Sequence, residues 1–115
     1  MQEKPLYSLD KLKEIDDTED FILQVITIFL ETVPANTEAL VKACAEKDWE
    51  QVYFFAHKIK ANVALLGIEC IIEDIRFVEQ SAKGRCNKEV IPSKVKFINE
   101  MVKVAVEQMK TALES

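Results

Sequence analysis

The chain has 115 residues, 49% of them apolar, enough for one ordinary hydrophobic core without a disulfide or a metal to staple it. A net charge of −5 disfavours an electrostatic grip on nucleic acid or an anionic membrane surface, both of which need a basic footprint, and favours a protein partner. Two glycines and three prolines leave little turn material, so long helices with few connections are expected and strand hairpins are not.

From the N-terminus, the stretch Met1 to Asp16 has no apolar run behind a basic end, so no leader peptide is expected. Ser8 can cap a short helix over residues 9–15. Asp17 or Thr18 then opens a longer one with apolar positions Ile22, Val25, Ile26, Phe29 and Val33. Its apolar run over residues 21–30 is interrupted by Gln24 and Thr27 and is too short to span a bilayer. Pro34 interrupts the pattern, yet the stripe resumes in phase at Leu40, Ala43 and Cys44, which favours one kinked helix over two.

Asp48-Trp49-Glu50-Gln51 has the form of a capping box, with Asp48 accepting from the Gln51 amide and the Gln51 side chain reaching back. The third helix therefore starts at Trp49, with a stripe of Val52, Phe55, Ala56, Ile59, Val63 and Leu66 and a left-handed turn at Gly67. A fourth follows at once, carrying Ile68, Ile71, Ile72, Ile75, Val78 and Ala82 to an end at Gly84. After a polar loop over residues 85–89, Pro92 fits the first turn of a last helix striped by Val95, Ile98, Val102, Ala105, Met109 and Ala112. Five elements with short connections predict an all-α fold: an antiparallel up-down-up-down four-helix bundle with a short additional N-terminal helix across one end. A single cytoplasmic domain over residues 1–115 is expected. The three cysteines, Cys44, Cys70 and Cys86, are too widely spaced for a metal or redox motif and are read as small apolar side chains.

The only histidine, His57, lies about 140° around the third helix from Val52 and so is set off the core stripe. Along its own face come Tyr53, Lys60, Ala61 and Ala64, so small residues leave the imidazole uncrowded on one side; Phe54 adds exposed apolar surface. If the fourth helix runs back along the third, residues whose numbers sum to about 135 share a level, which sets Glu79 opposite His57. Glu79 falls on an apolar stripe, where an unpaired carboxylate is costly. A bond from His57 Nδ1–H to Glu79 satisfies it and turns Nε2 outward. Plainer readings stand beside each of these. A lone surface histidine is often merely solvated, Glu79 can snorkel or pair with Lys83, the two alanines are good helix formers, and a single exposed Phe54 is ordinary.

Other chemistries lack their residues. There is no glycine-rich phosphate loop for a nucleotide and no second histidine to serve a serine or cysteine nucleophile. The bundle metal motif Glu-x-x-His is also missing, since Phe54 stands three before His57, so no metal site is expected.

The segment from Asp48 to Glu79 resembles the histidine-containing phosphotransfer (HPt) domain of two-component phosphorelays. The family signature is a histidine, a lysine three on, a small residue next and a glycine six further, here His57, Lys60, Ala61 and Gly67 in "AHKIKANVALLG". With the Phe29…Pro34…Leu40 pattern and the Val78-Glu79 helix end, the resemblance covers roughly Ser8 to Ala112. One position departs from the commonest pattern: Ala61 stands where glycine is usual, which bears on partner choice.

The resemblance implies a phosphoprotein that accepts phosphate on His57 from a phospho-aspartyl receiver domain and passes it to another, without autokinase activity. It implies charge stabilisation of the phosphoryl group by Lys60, beside which the residues themselves point to Glu79 orienting the ring and to a docking patch of Tyr53, Phe54, Lys58, Ala61 and Ala64. Its partners would be response-regulator receivers and a sensor histidine kinase, and the chain a monomer. No cofactor is expected on this chain, because Mg²⁺ belongs to the receiver. The competing reading is a helical interaction module that binds receivers without turning phosphate over; a metal- or ligand-binding bundle is a third.

Overall fold

The computed structural model describes residues 5–114. Met1 to Lys4 and Ser115 lie outside the described residues, and with them part of the stretch read above for a leader. Among the described residues the chain is all-helical: α1 (Asp10–Ile15), α2 (Glu19–Ala45), α3 (Trp49–Leu65), α4 (Ile72–Gly84) and α5 (Ile91–Glu114), with a 3₁₀ turn over Glu69–Ile71 between α3 and α4. α2 packs on α3 and α5, and α4 packs on the same two helices, so the four long helices enclose one core. Its centre is built from Phe29, Leu40, Ile59, Leu66, Ile75, Ile98 and Met109. No described helix is long and apolar enough to cross a membrane.

α2 begins where Thr18 Oγ1 accepts from the Phe21 amide at 3.4 Å. It then runs unbroken for 27 residues through Pro34, which deprives the helix of one amide donor to the Leu30 carbonyl. The in-phase stripe explains why the helix continues: Ile26, Phe29, Val33, Leu40, Ala43 and Cys44 are all buried, and breaking the helix would expose one half of that face.

Several local expectations are corrected. The helix after Ser8 starts at Asp10 with Leu9 at the cap position, because Ser8 Oγ accepts from the Asp10 amide at 3.2 Å, a turn rather than a helix cap. Only half of the Asp48 capping box forms. Asp48 Oδ1 accepts from the Gln51 amide at 3.3 Å, but the Asp48 amide already donates to Ala43 O at 3.0 Å and closes α2. α4 starts at Ile72, not Ile68, since the residues after Gly67 first turn in 3₁₀ geometry. The other end of α4 falls at Gly84 as expected, where Arg85 takes the left-handed position, φ 52°, with the Cys86 amide returning to Ser81 O at 3.0 Å. Ala112 is exposed, as the end of α5 runs past the core. Of the cysteines only Cys44 is buried; Cys70, in the 3₁₀ turn, and Cys86, after α4, are exposed.

The short α1 is held by contacts the sequence pattern does not display. Six residues are too few for an independent helix. Leu12 is fully buried, worth about 1.5–3 kcal/mol against leaving it in water, and the chain before α1 is pinned where the Ser8 amide donates to Leu66 O at 2.8 Å. Gly67 makes that approach possible: its φ is 63°, and a β-carbon there would stand 2.9 Å from Ser8 Cβ and 3.2 Å from Ser8 N and O. Gly67→Ala is therefore expected to destabilise the chain by roughly 1–3 kcal/mol, read as a lower denaturant midpoint at an unchanged slope. An unchanged midpoint would show that neither the backbone angle nor the Ser8 contact constrains the fold.

Candidate functional site

α3 carries His57 and Lys60 one turn apart, and α4 brings Glu79 to them. His57 Nδ1 lies 2.5 Å from Glu79 Oε2, and Lys60 Nζ lies 2.8 Å from Glu79 Oε1. The Glu79 side chain is only 4% exposed, against 60% for His57 and 34% for Lys60. One buried carboxylate thus holds two partners that reach it from the surface.

The burial of Glu79 follows from its position on α4 between Ile75, Val78 and Ala82, all buried with it. Burial by itself would push the Glu79 carboxyl up. The hydrogen bonds from Lys60 and His57, with the positive charge each can carry, outweigh that and hold the carboxyl below its ordinary value of 4.5. An ionised carboxylate only accepts hydrogen bonds, so the ring nitrogen that faces it, Nδ1, is the donor. The ring, mostly exposed, makes no second hydrogen bond among the described residues.

Tyr53, one turn before, stacks on the imidazole with ring centroids 5.8 Å apart and planes 22° from parallel. Together with the Nδ1 bond this restrains both the plane and the direction of the ring. The sequence placed Tyr53 on the right face but could not reveal the stacking, which depends on side-chain rotamers. Beside it, Phe54 is 49% exposed and Lys58 Nζ lies 5.5 Å from its ring centroid, close enough for a cation–π contact. Ala61 is exposed as expected. Ala64 is half-buried, and Lys11 from α1 donates to its carbonyl at 3.3 Å, so the open side of the histidine ends there and the apolar patch is narrower than the spacing suggested.

Glu79 takes His57 as its partner, as the register implied, and Lys60 as a second one that the spacing did not reveal. Lys83, the plainer i+4 alternative, is exposed. The reason is burial: the carboxylate points between α3 and α4, where Lys60 reaches it and the outward-facing Lys83 does not. Among the described residues no group of acidic, histidine or cysteine side chains is placed to hold a metal ion.

Comparisons of the chain with protein-family models, curated proteins and solved structures found no significant match. The fold and site define an all-helical protein that presents one oriented, exposed imidazole from a rigid helix, with its Nδ1 fastened to a buried carboxylate.

Proposed function

We propose that this chain is a phosphorelay intermediate of the HPt kind, an antiparallel up-down-up-down bundle that receives a phosphoryl group on His57 Nε2 from a phospho-aspartyl receiver and passes it to another. The observation that carries this reading is the exposed His57 ring with Nδ1 held by the buried Glu79. The packing of α2 on α3, α3 on α4, α4 on α5 and α5 back on α2 supports the bundle, and the spacing of His57, Lys60, Ala61 and Gly67 supports the family.

In the reaction the Nε2 lone pair attacks phosphorus as the bond from phosphorus to the aspartyl oxygen breaks, and that electron pair leaves on the carboxylate. The product ring carries phosphate on Nε2 and keeps its proton on Nδ1, so it becomes cationic. Glu79 is placed to stabilise that charge as it develops, as a carboxylate does behind a general-base histidine. The receiver supplies Mg²⁺ and the positioning of the phosphoryl group, which accounts for how little machinery this chain needs. Phe54, Lys58 and Ala61 form the adjoining docking surface, with Tyr53 and the rim of Ala64 at its edges.

Mixing the chain with each radiolabelled phospho-receiver of its source organism tests the reading. Label is expected to move from one or more of them onto this chain as acid-labile, alkali-stable phosphate. Failure to receive label from any of them sinks the carrier role, and receiver binding without transfer would favour the interaction-module reading.

A further inference from the structure

Where α2 ends and α5 begins, the two helices leave between them a cavity of about 380 Å³. Its walls are apolar: Val41, Cys44 and Ala45 come from α2 and Val95 from α5. Cys44 and Val95 are buried, while Val41 is exposed at the edge. Short side chains at Cys44 and Ala45 fill little of the space. A volume of this size suits one small molecule.

The charges around the cavity are of one sign. Lys47, in the turn after α2, and Lys96, on α5, line it together with no acidic side chain. In a chain with 20 acidic and 15 basic residues, that reverses the overall balance. Among the described residues neither lysine forms an ion pair. Lys47 also occupies a costly position: its φ is 57°, and its amide donates to Cys44 O at 3.0 Å. Glycine is the ordinary residue at such a left-handed position after a helix, so a lysine kept there points to a use for its side chain.

The other cavities lack this combination. Farther along the same two helices, a cavity of about 270 Å³ beside Pro34 is lined by Glu38 and Glu107 as well as Lys103, so it favours neither sign. Between α4 and α5, Lys94 is already bonded to Asp74 at 3.1 Å.

We propose that the α2–α5 cavity binds a small amphipathic carboxylate, with its apolar body against Val41, Ala45 and Val95 and its charged end held by Lys47 and Lys96. The two cations select an acid over an amine, and the apolar walls select a hydrocarbon tail over a bare anion. His57 is not among the lining residues, so the site is separate from the imidazole and stands whether or not the chain carries phosphate.

The test follows the valine methyl groups of the intact chain by carbon-13 NMR while octanoate, octylammonium or acetate is added at neutral pH. Octanoate is expected to shift Val41 and Val95 in a saturable way, with a Kd on the order of 1 mM or tighter for a ligand of this size. Octylammonium, which has the same tail and the opposite charge, should bind at least about fivefold more weakly, and acetate should leave both valines unmoved. Lys47→Gly, which suits the left-handed turn, and Lys96→Gln should each weaken octanoate about threefold, and the two together about tenfold. Ala45→Leu places a larger side chain in the cavity from an exposed position and should abolish binding with the fold kept. Equal binding of octanoate and octylammonium, or octanoate binding unchanged in the double lysine variant, would overturn the carboxylate assignment. Unmoved Val41 and Val95 at roughly 10 mM octanoate would overturn the site itself.

Discussion

His57→Gln is expected to remove phosphoryl acceptance entirely while leaving the fold almost untouched. Glutamine offers no basic lone pair at the position of Nε2, because its amide nitrogen is conjugated to the carbonyl, and the chain has no other histidine to take over. Label uptake from a receiver should fall by at least about 10³-fold, to the floor of the assay. The ring it replaces is 60% exposed, and the glutamine amide can still donate to Glu79, so the cost in stability should stay within about 0.5 kcal/mol. Thermal melting and label uptake on the same preparation separate the two effects. Equal uptake by the variant would place the phosphate elsewhere and end the assignment of His57.

Glu79→Met should show the opposite balance, with function lost and the fold kept. Glu79 sits on the buried stripe of α4, and an unbranched apolar side chain of similar length fills the same space without the cost of holding a charge away from water. Lys60 and His57 both reach solvent and can be hydrated once their partner is gone, so stability near neutral pH is expected within about 1 kcal/mol of wild type. Transfer should fall by about 10²-fold, since the ring loses the acceptor that selects its tautomer and the charge that stabilises the phosphorylated imidazole.

The pH dependence separates this variant from wild type a second time. The Glu79 carboxyl is held below its ordinary value in the folded chain, so the unfolded chain binds the proton more tightly. The carboxylate's contribution is therefore complete above 4.5, the ordinary value, and is lost as pH falls through the lowered folded-state value. Glu79→Met lacks this term. Its stability relative to wild type should rise as the pH is taken from neutral to below that range, as denaturant midpoints at a series of pH values would show. A constant difference across that range would mean that the three-residue network adds nothing to stability.

Sequence periodicity located the helices because each long one must bury a continuous apolar stripe. It even carried α2 across Pro34, since Leu40, Ala43 and Cys44 stay in phase with Phe29 and Val33. Element ends were less legible. The Asp48 amide is taken by the end of α2, and the helix after Ser8 opens at Asp10 rather than Leu9, because competing backbone partners settle such choices within one or two residues. The packing of Ser8 against Gly67 joins residues far apart in the chain, and no local pattern announces it.

For the site, the sequence alone determined that His57 lies off the core stripe, that Glu79 lies on one, and that an antiparallel register would set them level. Helical geometry is regular enough for such angles and levels to be counted from residue numbers. The tertiary structure decided which groups share the carboxylate. Lys83 was the near neighbour by number, but Lys60 reaches Glu79 across the α3–α4 interface, and Tyr53 is laid on the imidazole. The reason is that a buried charge must find its hydrogen bonds wherever the packing of helices leaves donors within reach, and packing is a property of the assembled fold.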